Sequence, residues 1–183
     1  YIMIAFSQIY AKSAPTVSEA GYAMGLGFSP QIFTALLMFS AVSLAITITI
    51  SGKYIDKVGR RIWLIWTTVG VALFGLVVPY FLENGTTVSL FWFLIIGMGL
   101  IGMGYGPLAT FLPELFPTHA RYSGASLTYN IAGLFGASVA AIIALPLNAN
   151  YGLKGVGIYL TLNAVLSLIG LWFITETRDR QLL

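Results

Sequence analysis

The chain has 183 residues, of which 58% are hydrophobic and 8% are charged, and its mean hydropathy of +0.89 excludes an ordinary soluble globular domain. A net charge of +3 in such an apolar chain indicates the orientation of membrane spans rather than nucleic-acid binding. The absence of cysteine excludes disulfides and thiolate metal sites.

Five long runs without a charged residue or histidine predict transmembrane helices. A helix needs about 20 apolar residues to cross the roughly 30 Å hydrocarbon core of a bilayer. Runs such as GVALFGLVV do not alternate polar and apolar residues, as the strands of a membrane barrel would. The predicted fold class is all-α, a polytopic transmembrane helix bundle, with helices at about 30–50, 62–82, 88–112, 125–147 and 155–175 and a tail at 176–183.

A shorter uncharged run opens the chain. As a helix, residues 1–11 would span only about half of the hydrocarbon core, and the chain does not begin with methionine. We interpret this run as the remainder of a longer helix. It carries Gln8, whose amide is costly to place in lipid without a partner.

The stretch GKYIDKVGRR, 52–61, joins the first two complete runs. It holds five of the chain's fifteen charged residues, of which nine are basic and six are acidic. If the spans alternate, this stretch, the loop at 113–121 and the tail lie on one side of the membrane. Together they carry seven of the nine basic residues, namely Lys53, Lys57, Arg60, Arg61, Arg121, Arg178 and Arg180. Because cytoplasmic loops are enriched in lysine and arginine, this side is predicted to be cytoplasmic, with the C-terminus inside.

The run 88–112 is rich in residues that weaken a helix. These predict either close helix packing or local bending, and they are Gly97, Gly99, Gly102, Gly104, Gly106 and Pro107. Residues 97–102 also fit GxGxxG, but a nucleotide site needs a preceding strand and a soluble βαβ unit, so no cofactor is predicted. Just before this run, Asn84 and Gly85 predict a tight turn.

The run 125–147 combines small and polar residues. Two small-residue stripes at helical spacing predict the close approach of a neighbouring helix, and they are Ala132, Gly136 and Ala140, and Gly133, Ala137 and Ala141. Tyr129 and Asn130 are polar residues of the same run. Asn130 could contact a substrate, or it could hydrogen-bond a neighbouring helix as structural glue, and the sequence leaves both open.

Ionisable residues are missing from the predicted spans. All six acidic residues lie in loops or at helix ends, and His119 is the only histidine. The sequence therefore predicts neither a Ser-His-Asp catalytic triad nor a histidine-rich metal site. The sequence predicts no catalytic residues, no metal and no cofactor, and the protein is not expected to be an enzyme.

The charged stretch carries a family resemblance. Six of its positions match GxxxD(R/K)xGR(R/K), the cytoplasmic signature of the major facilitator superfamily of secondary transporters, and they are Gly52, Asp56, Lys57, Gly59, Arg60 and Arg61. The segment 105–126, which contains FLPELFPT, resembles the tenth and eleventh helices of the superfamily's metabolite:proton symporters, the dicarboxylate, shikimate and proline/betaine carriers. The ending at Glu176, Thr177 and Arg178 is similar to theirs as well.

The resemblance implies the architecture and the function. It aligns the chain with the C-terminal six-helix half of a twelve-helix carrier, without the N-terminal half. It implies a secondary active transporter of the bacterial plasma (inner) membrane that moves a small polar or anionic metabolite by proton symport with alternating access. The implied partners are the small-molecule substrate, protons, the lipid bilayer and the missing N-terminal half, but no nucleic acid. A non-transporting membrane sensor or partner subunit is the alternative.

The resemblance also implies a cytoplasmic latch, in which charged side chains join helix ends while a carrier faces outward. Its expected members are Gly52, Asp56, Lys57, Gly59, Arg60, Arg61, Glu114, Arg121 and Glu176. We expect Arg60 or Arg61 to meet Glu114 and Glu176. We expect Asp56 to face a neighbouring helix N-terminus. The alternative is that the basic residues only orient the chain in the membrane.

Substrate contacts are expected from neutral polar residues on the helices that line the cavity in the superfamily. By family position these are the runs 1–11, 88–112 and 125–147. Polar side chains near the midplane of such carriers face a cavity instead of lipid. The candidates are Asn130, Tyr129, Tyr105 and Gln8.

Overall fold

The computed structural model of the chain describes residues 2–134, 136 and 139–174, without the side chain of residue 141. These residues form the helices α1 (Ser7–Lys12), α2 (Pro30–Val58), α3 (Arg60–Glu83), α4 (Thr87–Glu114), α5 (Arg121–Gly133) and α6 (Val139–Phe173). A π-helical turn at Ile2–Phe6 precedes α1. Within the described residues, the only strand-like pairing is an isolated bridge between Val17 and Ala23. The all-α prediction is confirmed.

Four helices in the described part of the chain are long and apolar enough to cross a membrane. They are α2, α3, α4 and the stretch Ile142–Phe173 of α6. The predicted helix at 125–147 falls on α5 and on the beginning of α6, and residues 135, 137 and 138 between them lie outside the described residues. The polytopic membrane class is confirmed.

Local capping chemistry sets where the long helices begin. The Ser29 hydroxyl accepts a hydrogen bond from the first turn of α2 at 3.4 Å, and Pro30 occupies the first helical position. Thr86 caps α4 in the same way, at 3.2 Å. The turn predicted at Asn84 and Gly85 is confirmed, and Gly85 has a φ of 60°, which favours glycine.

The charged stretch 52–61 is helical, and the prediction of a connecting loop was wrong. α2 continues past its predicted end near 50 to Val58, and α3 begins at Arg60. Only Gly59 between them leaves the helical conformation, with a φ of 104°. Hydropathy identifies only the part of a helix that is apolar enough to lie in lipid. The backbone hydrogen bonds of the helix are internal, so the helix can continue through charged residues beyond the lipid.

Gly152 divides α6 into two arms. Its φ of 69° and ψ of −171° break the helix between the predicted helices at 125–147 and 155–175. The loop between α1 and α2 docks at this break. A Cβ built on Gly152 would lie 2.6 Å from the Tyr22 ring, and the fully buried Asn148 amide donates to the Ala23 carbonyl at 3.0 Å. Glycine is therefore required at the break for both conformation and space.

Glycines let two pairs of helices approach closely. A Cβ built on Gly102 of α4 would lie 2.6 Å from the Leu44 carbonyl of α2. A Cβ built on Gly75 of α3 would lie 2.8 Å from the Gly157 carbonyl of α6. Close packing therefore accounts for Gly102 in the glycine-rich run, and small residues permit the same approach between α3 and α6.

The small-residue stripes of the run 125–147 do not bring a helix close at their glycines, contrary to expectation. A Cβ built on Gly133 or Gly136 would meet no atom within 4 Å. Among the described elements, α5, which ends at Gly133, contacts only α4. Ala140 is buried at the beginning of α6. Ala137 and the side chain of Ala141 lie outside the description.

The apolar core lies between the π-helical turn, α3, α4 and α6. Phe6, Phe74, Phe93 and Val156 are almost completely buried in it, and the rings of Phe74 and Phe93 are 5.3 Å apart. Because this core holds the three long helices side by side, the beginning of α3 and the ends of α4 and α6 lie near the same end of the bundle. The charged residues of the sequence are concentrated at that end.

Candidate functional site

Charged side chains from three helices meet at one end of the bundle. Arg60 in the first turn of α3 forms an ion pair with Glu114 at the end of α4. Its other terminal nitrogen lies 3.4 Å from Asp56 Oδ1 in the last turn of α2. The side chains of Arg60 and Glu114 are only 16% and 13% exposed, whereas that of Asp56 is 73% exposed. We call Asp56, Arg60 and Glu114 the charged cluster.

Arg61 joins the same end of the bundle to α6 through the backbone. Its Nε donates to the Leu171 carbonyl and its Nη2 to the Trp172 carbonyl, both at 2.9 Å. The guanidinium also lies 6.0 Å from the centroid of the Trp172 ring. The last carbonyls of a helix lack intrahelical partners and carry partial negative charge, so an arginine there is both a donor and a favourable charge.

The structure brings together some of the predicted latch residues. Of the two arginines expected to meet Glu114, Arg60 does so. Asp56 contacts the side chain of Arg60, and its expected approach to a neighbouring helix N-terminus stays a prediction. Glu176 lies outside the described residues.

The other predicted members are not part of the charged cluster as defined by Asp56, Arg60 and Glu114. Lys57 Nζ lies 5.9 Å from the ring of Tyr54, and Gly52 has open space where a Cβ would stand. Arg121 donates to the Thr118 hydroxyl at 3.4 Å and, within the described residues, makes no ion pair with the cluster.

The described part of the chain holds no group of histidine and acidic side chains that could bind a metal.

Asn130 lies on an exposed face of α5. Its amide donates to the Ser126 carbonyl at 2.8 Å and to the Ser126 hydroxyl at 3.4 Å. Both partners belong to its own helix, so Asn130 does not join two helices within the described part of the chain.

Tyr105 and Tyr129 line one cavity between α4 and α5. The cavity has a volume of about 250 Å³ and is otherwise walled by apolar side chains, among them Leu108, Leu112 and Pro113. Each tyrosine is 51% exposed. The two aromatic candidates are therefore neighbours, as the sequence alone did not predict.

Gln8 lies in a different place, on an open groove along α1. The groove is lined by Ala5, Gln8, Ile9, Lys12 and Ser13, all from this one stretch of the chain. Lys12 was not among the predicted site residues. The available signal was its spacing of four residues from Gln8, which puts both side chains on one face of a helix.

Comparison with known proteins gives the family. Residues 22–183 match the family described as sugar (and other) transporter. The chain is 90% identical over 182 residues to a Haemophilus influenzae protein provisionally named a metabolite transport protein, covering 100% of the chain and 41% of that protein. It is 38% identical over 183 residues to the inner membrane metabolite transport protein YhjE of Escherichia coli, covering 100% of the chain and 40% of that protein.

A more distant relative has a more specific name. The chain is 31% identical over 135 residues to the proline/betaine transporter of Salmonella typhimurium, which corresponds to 73% of the chain and 27% of that protein. The chain spans about two fifths of the length of its nearer curated relatives. No solved structure matches it. With its apolar spanning helices, the chain is a multi-pass membrane protein that belongs to the sugar (and other) transporter family of the major facilitator superfamily.

Proposed function

We propose that the chain is the C-terminal half of a secondary active transporter that moves a small polar or anionic metabolite by proton symport with alternating access. The observation that carries this proposal is the charged end of the bundle, where side chains of α2, α3 and α4 meet and Arg61 binds the end of α6. The names of the curated relatives, which are transport proteins, support the proposal. These relatives are also long enough to contain an N-terminal half in addition to the part that this chain matches.

We propose that the charged end faces the cytoplasm of a bacterial cell, with the C-terminus inside. The excess of lysine and arginine on this side of the predicted spans supports that orientation. The printed name of the Escherichia coli relative, an inner membrane protein, supports the location.

The charged cluster would act as the latch between two states of the carrier. The exposed pair of Arg60 and Asp56 contributes roughly 0 to 1 kcal/mol, which is enough to bias a two-state equilibrium without freezing it. The Asp56→Asn variant should insert normally but turn over more slowly, because the contact between α2 and α3 is weakened in one state only. Wild-type rates of uptake in that variant would contradict the latch and favour a pure orientation signal.

The substrate would contact polar side chains on the exposed surfaces of the helices. Asn130, Tyr129 and Tyr105 lie on exposed surfaces of α4 and α5, and Gln8 lies on an open groove along α1. Proline and betaine, which appear in the names of relatives, are small zwitterions with a carboxylate. A small zwitterionic or anionic metabolite suits such polar groups.

Uptake by the full-length carrier in proteoliposomes tests the proposal. An inwardly directed proton gradient should drive accumulation of the substrate, and a protonophore should abolish it. Uptake that is insensitive to the protonophore would identify a facilitator without coupling. An intact native mass near the 19.8 kDa of this chain, without uptake, would instead favour a sensor or partner subunit.

A further inference from the structure

The segment 14–28, between α1 and α2, is folded as a compact unit, and we call it the strap. It contains the isolated bridge between Val17 and Ala23. Backbone hydrogen bonds of 2.8 and 2.9 Å flank this bridge and close the turn at Gly21, whose φ is 83°. Because these bonds are internal to the strap, its shape does not depend on the helices that it touches.

The strap is fastened to the end of α1 through its backbone. The last carbonyls of a helix lack partners within the helix. At the end of α1, N–H groups of the strap serve as donors to these carbonyls, at 2.8 to 3.0 Å. Leu26 donates to Tyr10, Phe28 to Ala11 and Gly27 to the capping residue Ser13. The strap is therefore expected to move together with α1.

The strap also contacts α6, at the break at Gly152. Asn148 is fully buried, and its amide nitrogen lies 3.0 Å from the Ala23 carbonyl oxygen and 3.6 Å from the sulfur of Met24. Its carboxamide oxygen has no hydrogen-bond partner among the described residues. Burial of an amide is costly unless hydrogen bonds offset it, and both of its partners here belong to the strap. The ring of Tyr22 covers Gly152 beside this contact.

The strap is the link between α1 and α6 at this end of the bundle. Among the described elements, α1 itself contacts the π-helical turn and α2 but not α6. The π-helical turn does contact α6, one turn further from the strap. The charged cluster lies beyond the opposite end of α2. The two ends of the bundle are thus held together by different chemistry.

We propose that the strap is a mechanical coupler, which holds the end of α1 to the break in α6 so that the two move as one unit during transport. Packed side chains and hydrogen bonds carry coupling of this kind between elements. A displacement of α1 reaches α6 through the contacts of the strap with Asn148 and Gly152. The effect on turnover rests on the proposed transport function, whereas the attachment of the strap to α6 does not.

Distances between two spin labels test the attachment, in the full-length carrier with its other cysteines replaced by serine. The labels are placed at Ala20→Cys, on the exposed tip of the strap, and at Leu166→Cys, on an exposed face of α6. We expect one narrow distance distribution, by double electron–electron resonance in liposomes. Tyr22→Ala, which leaves α6 unchanged, should broaden it. Tyr80→Ala removes an exposed tyrosine of α3 instead and should keep it narrow.

Uptake of L-proline and of betaine, driven by an inwardly directed proton gradient, tests the coupling in the same variants and in Asn148→Leu. Thermal unfolding in detergent confirms that each variant is folded. We expect Tyr22→Ala and Asn148→Leu to lower Vmax roughly fivefold or more with KM within about twofold, because neither residue is among the proposed substrate contacts. Tyr80→Ala should leave both constants unchanged.

Two results would overturn the coupler and leave transport standing. One is a narrow distribution that persists in both Tyr22→Ala and Asn148→Leu, since the strap would then be held by something else. The other is a wild-type Vmax in a variant whose distribution has broadened. Failure of the wild-type carrier to take up either probe would count against the proposed transport function, while the distance distributions would still decide whether the strap holds α1 to α6.

Discussion

Arg60 occupies the first turn of α3, directly after the glycine that ends α2, and its guanidinium reaches carboxylates on two other helices. The two carboxylates differ in environment. Glu114 is mostly buried beside it, whereas Asp56 stands largely in solvent. Removing one member of a buried ion pair leaves an uncompensated charge, while an exposed pair contributes little. The stability of this end of the bundle therefore depends on Glu114 more than on Asp56.

We expect Glu114→Gln to lower the free energy of unfolding by about 1.5 to 3 kcal/mol, because Arg60 loses a charged hydrogen-bond partner that is mostly buried. The matched control, Asp56→Asn, should change it by less than about 0.5 kcal/mol. Thermal unfolding of the detergent-solubilised carrier measures both. In a double-mutant cycle, adding Arg60→Gln to Glu114→Gln should cost less than the sum of the single changes. Equal effects of Glu114→Gln and Asp56→Asn would contradict the difference in burial.

Asn130 makes its hydrogen bonds within α5, so its removal should not loosen the contacts between helices. We expect Asn130→Ala to weaken the apparent affinity for substrate several-fold while the yield and the unfolding temperature stay unchanged. Uptake kinetics and thermal unfolding separate the two properties. An unchanged affinity with a lower yield would instead assign Asn130 a structural role.

At the charged end, the sequence predicted that Arg60 or Arg61 would meet Glu114, without deciding which, and missed the backbone partners of Arg61. An ion pair can be expected from residue types on one side of a membrane, because opposite charges there attract one another. The Leu171 and Trp172 carbonyls that bind Arg61 have no signature in the sequence, since every residue has a carbonyl.

The contact between α3 and α6 depends on backbone touching backbone. Gly75 and Gly157 lie opposite each other, and the Thr161 hydroxyl donates across the interface to the Ala72 carbonyl at 3.0 Å. Helices in lipid associate through such close packing and interhelical hydrogen bonds, because lipid supplies no hydrophobic drive between them. A single methyl group at this crossing would push the helices apart.

We expect Gly157→Ala to destabilise the protein by about 1 to 3 kcal/mol, because its Cβ would stand against the Gly75 carbonyl. Gly170→Ala on the same helix is the control, because a Cβ there would meet nothing within 4 Å. Alanine is the better helix former, so the control should be neutral or stabilising by up to about 1 kcal/mol. Thermal unfolding in detergent gives the sign of each change. A stabilising Gly157→Ala would disprove the close crossing.

Helix existence was easier to predict than helix ends. The long apolar runs predicted α2, α3 and α4, because burial in lipid requires an uninterrupted apolar surface. Charges do not end a helix, however, and α2 includes most of the charged stretch up to Val58. The sequence pattern also could not reveal which glycines touch another helix, since Gly102 and Gly133 look alike in sequence and differ only in their neighbours.

At the scale of the whole molecule, α5 and α2 present unusually open surfaces. α5 buries no residue, and α2 exposes large apolar side chains such as Met38 and Phe39 along its length. Exposed apolar surface of this extent suits contact with lipid or with another part of a membrane protein. These apolar surfaces outside the core fit a protein that is embedded in a bilayer, and its orientation there can be tested.

Cysteine labelling tests the orientation, because the chain has no cysteine of its own. Any cysteines elsewhere in the full-length carrier are first replaced by serine. We expect Ala20→Cys, in the exposed loop before α2, to react with a membrane-impermeant maleimide in cells whose outer membrane is permeable. His119→Cys, exposed between α4 and α5, should react only after the inner membrane is opened. The reverse pattern would place the charged cluster outside and refute a cytoplasmic latch.

The sequence alone was sufficient to establish the all-α membrane class, the approximate helices and the family, because the transfer of apolar side chains into lipid and the spacing of a short charged motif are local properties of a chain. Tertiary structure decided what depends on the neighbours of a residue. Examples are the pairing of Arg60 rather than Arg61 with Glu114, the docking of the loop at Gly152, and the separation of Gln8 from Tyr105 and Tyr129. These features arise where distant segments meet, and contacts of that kind follow from the packing of the helices, which no local pattern encodes.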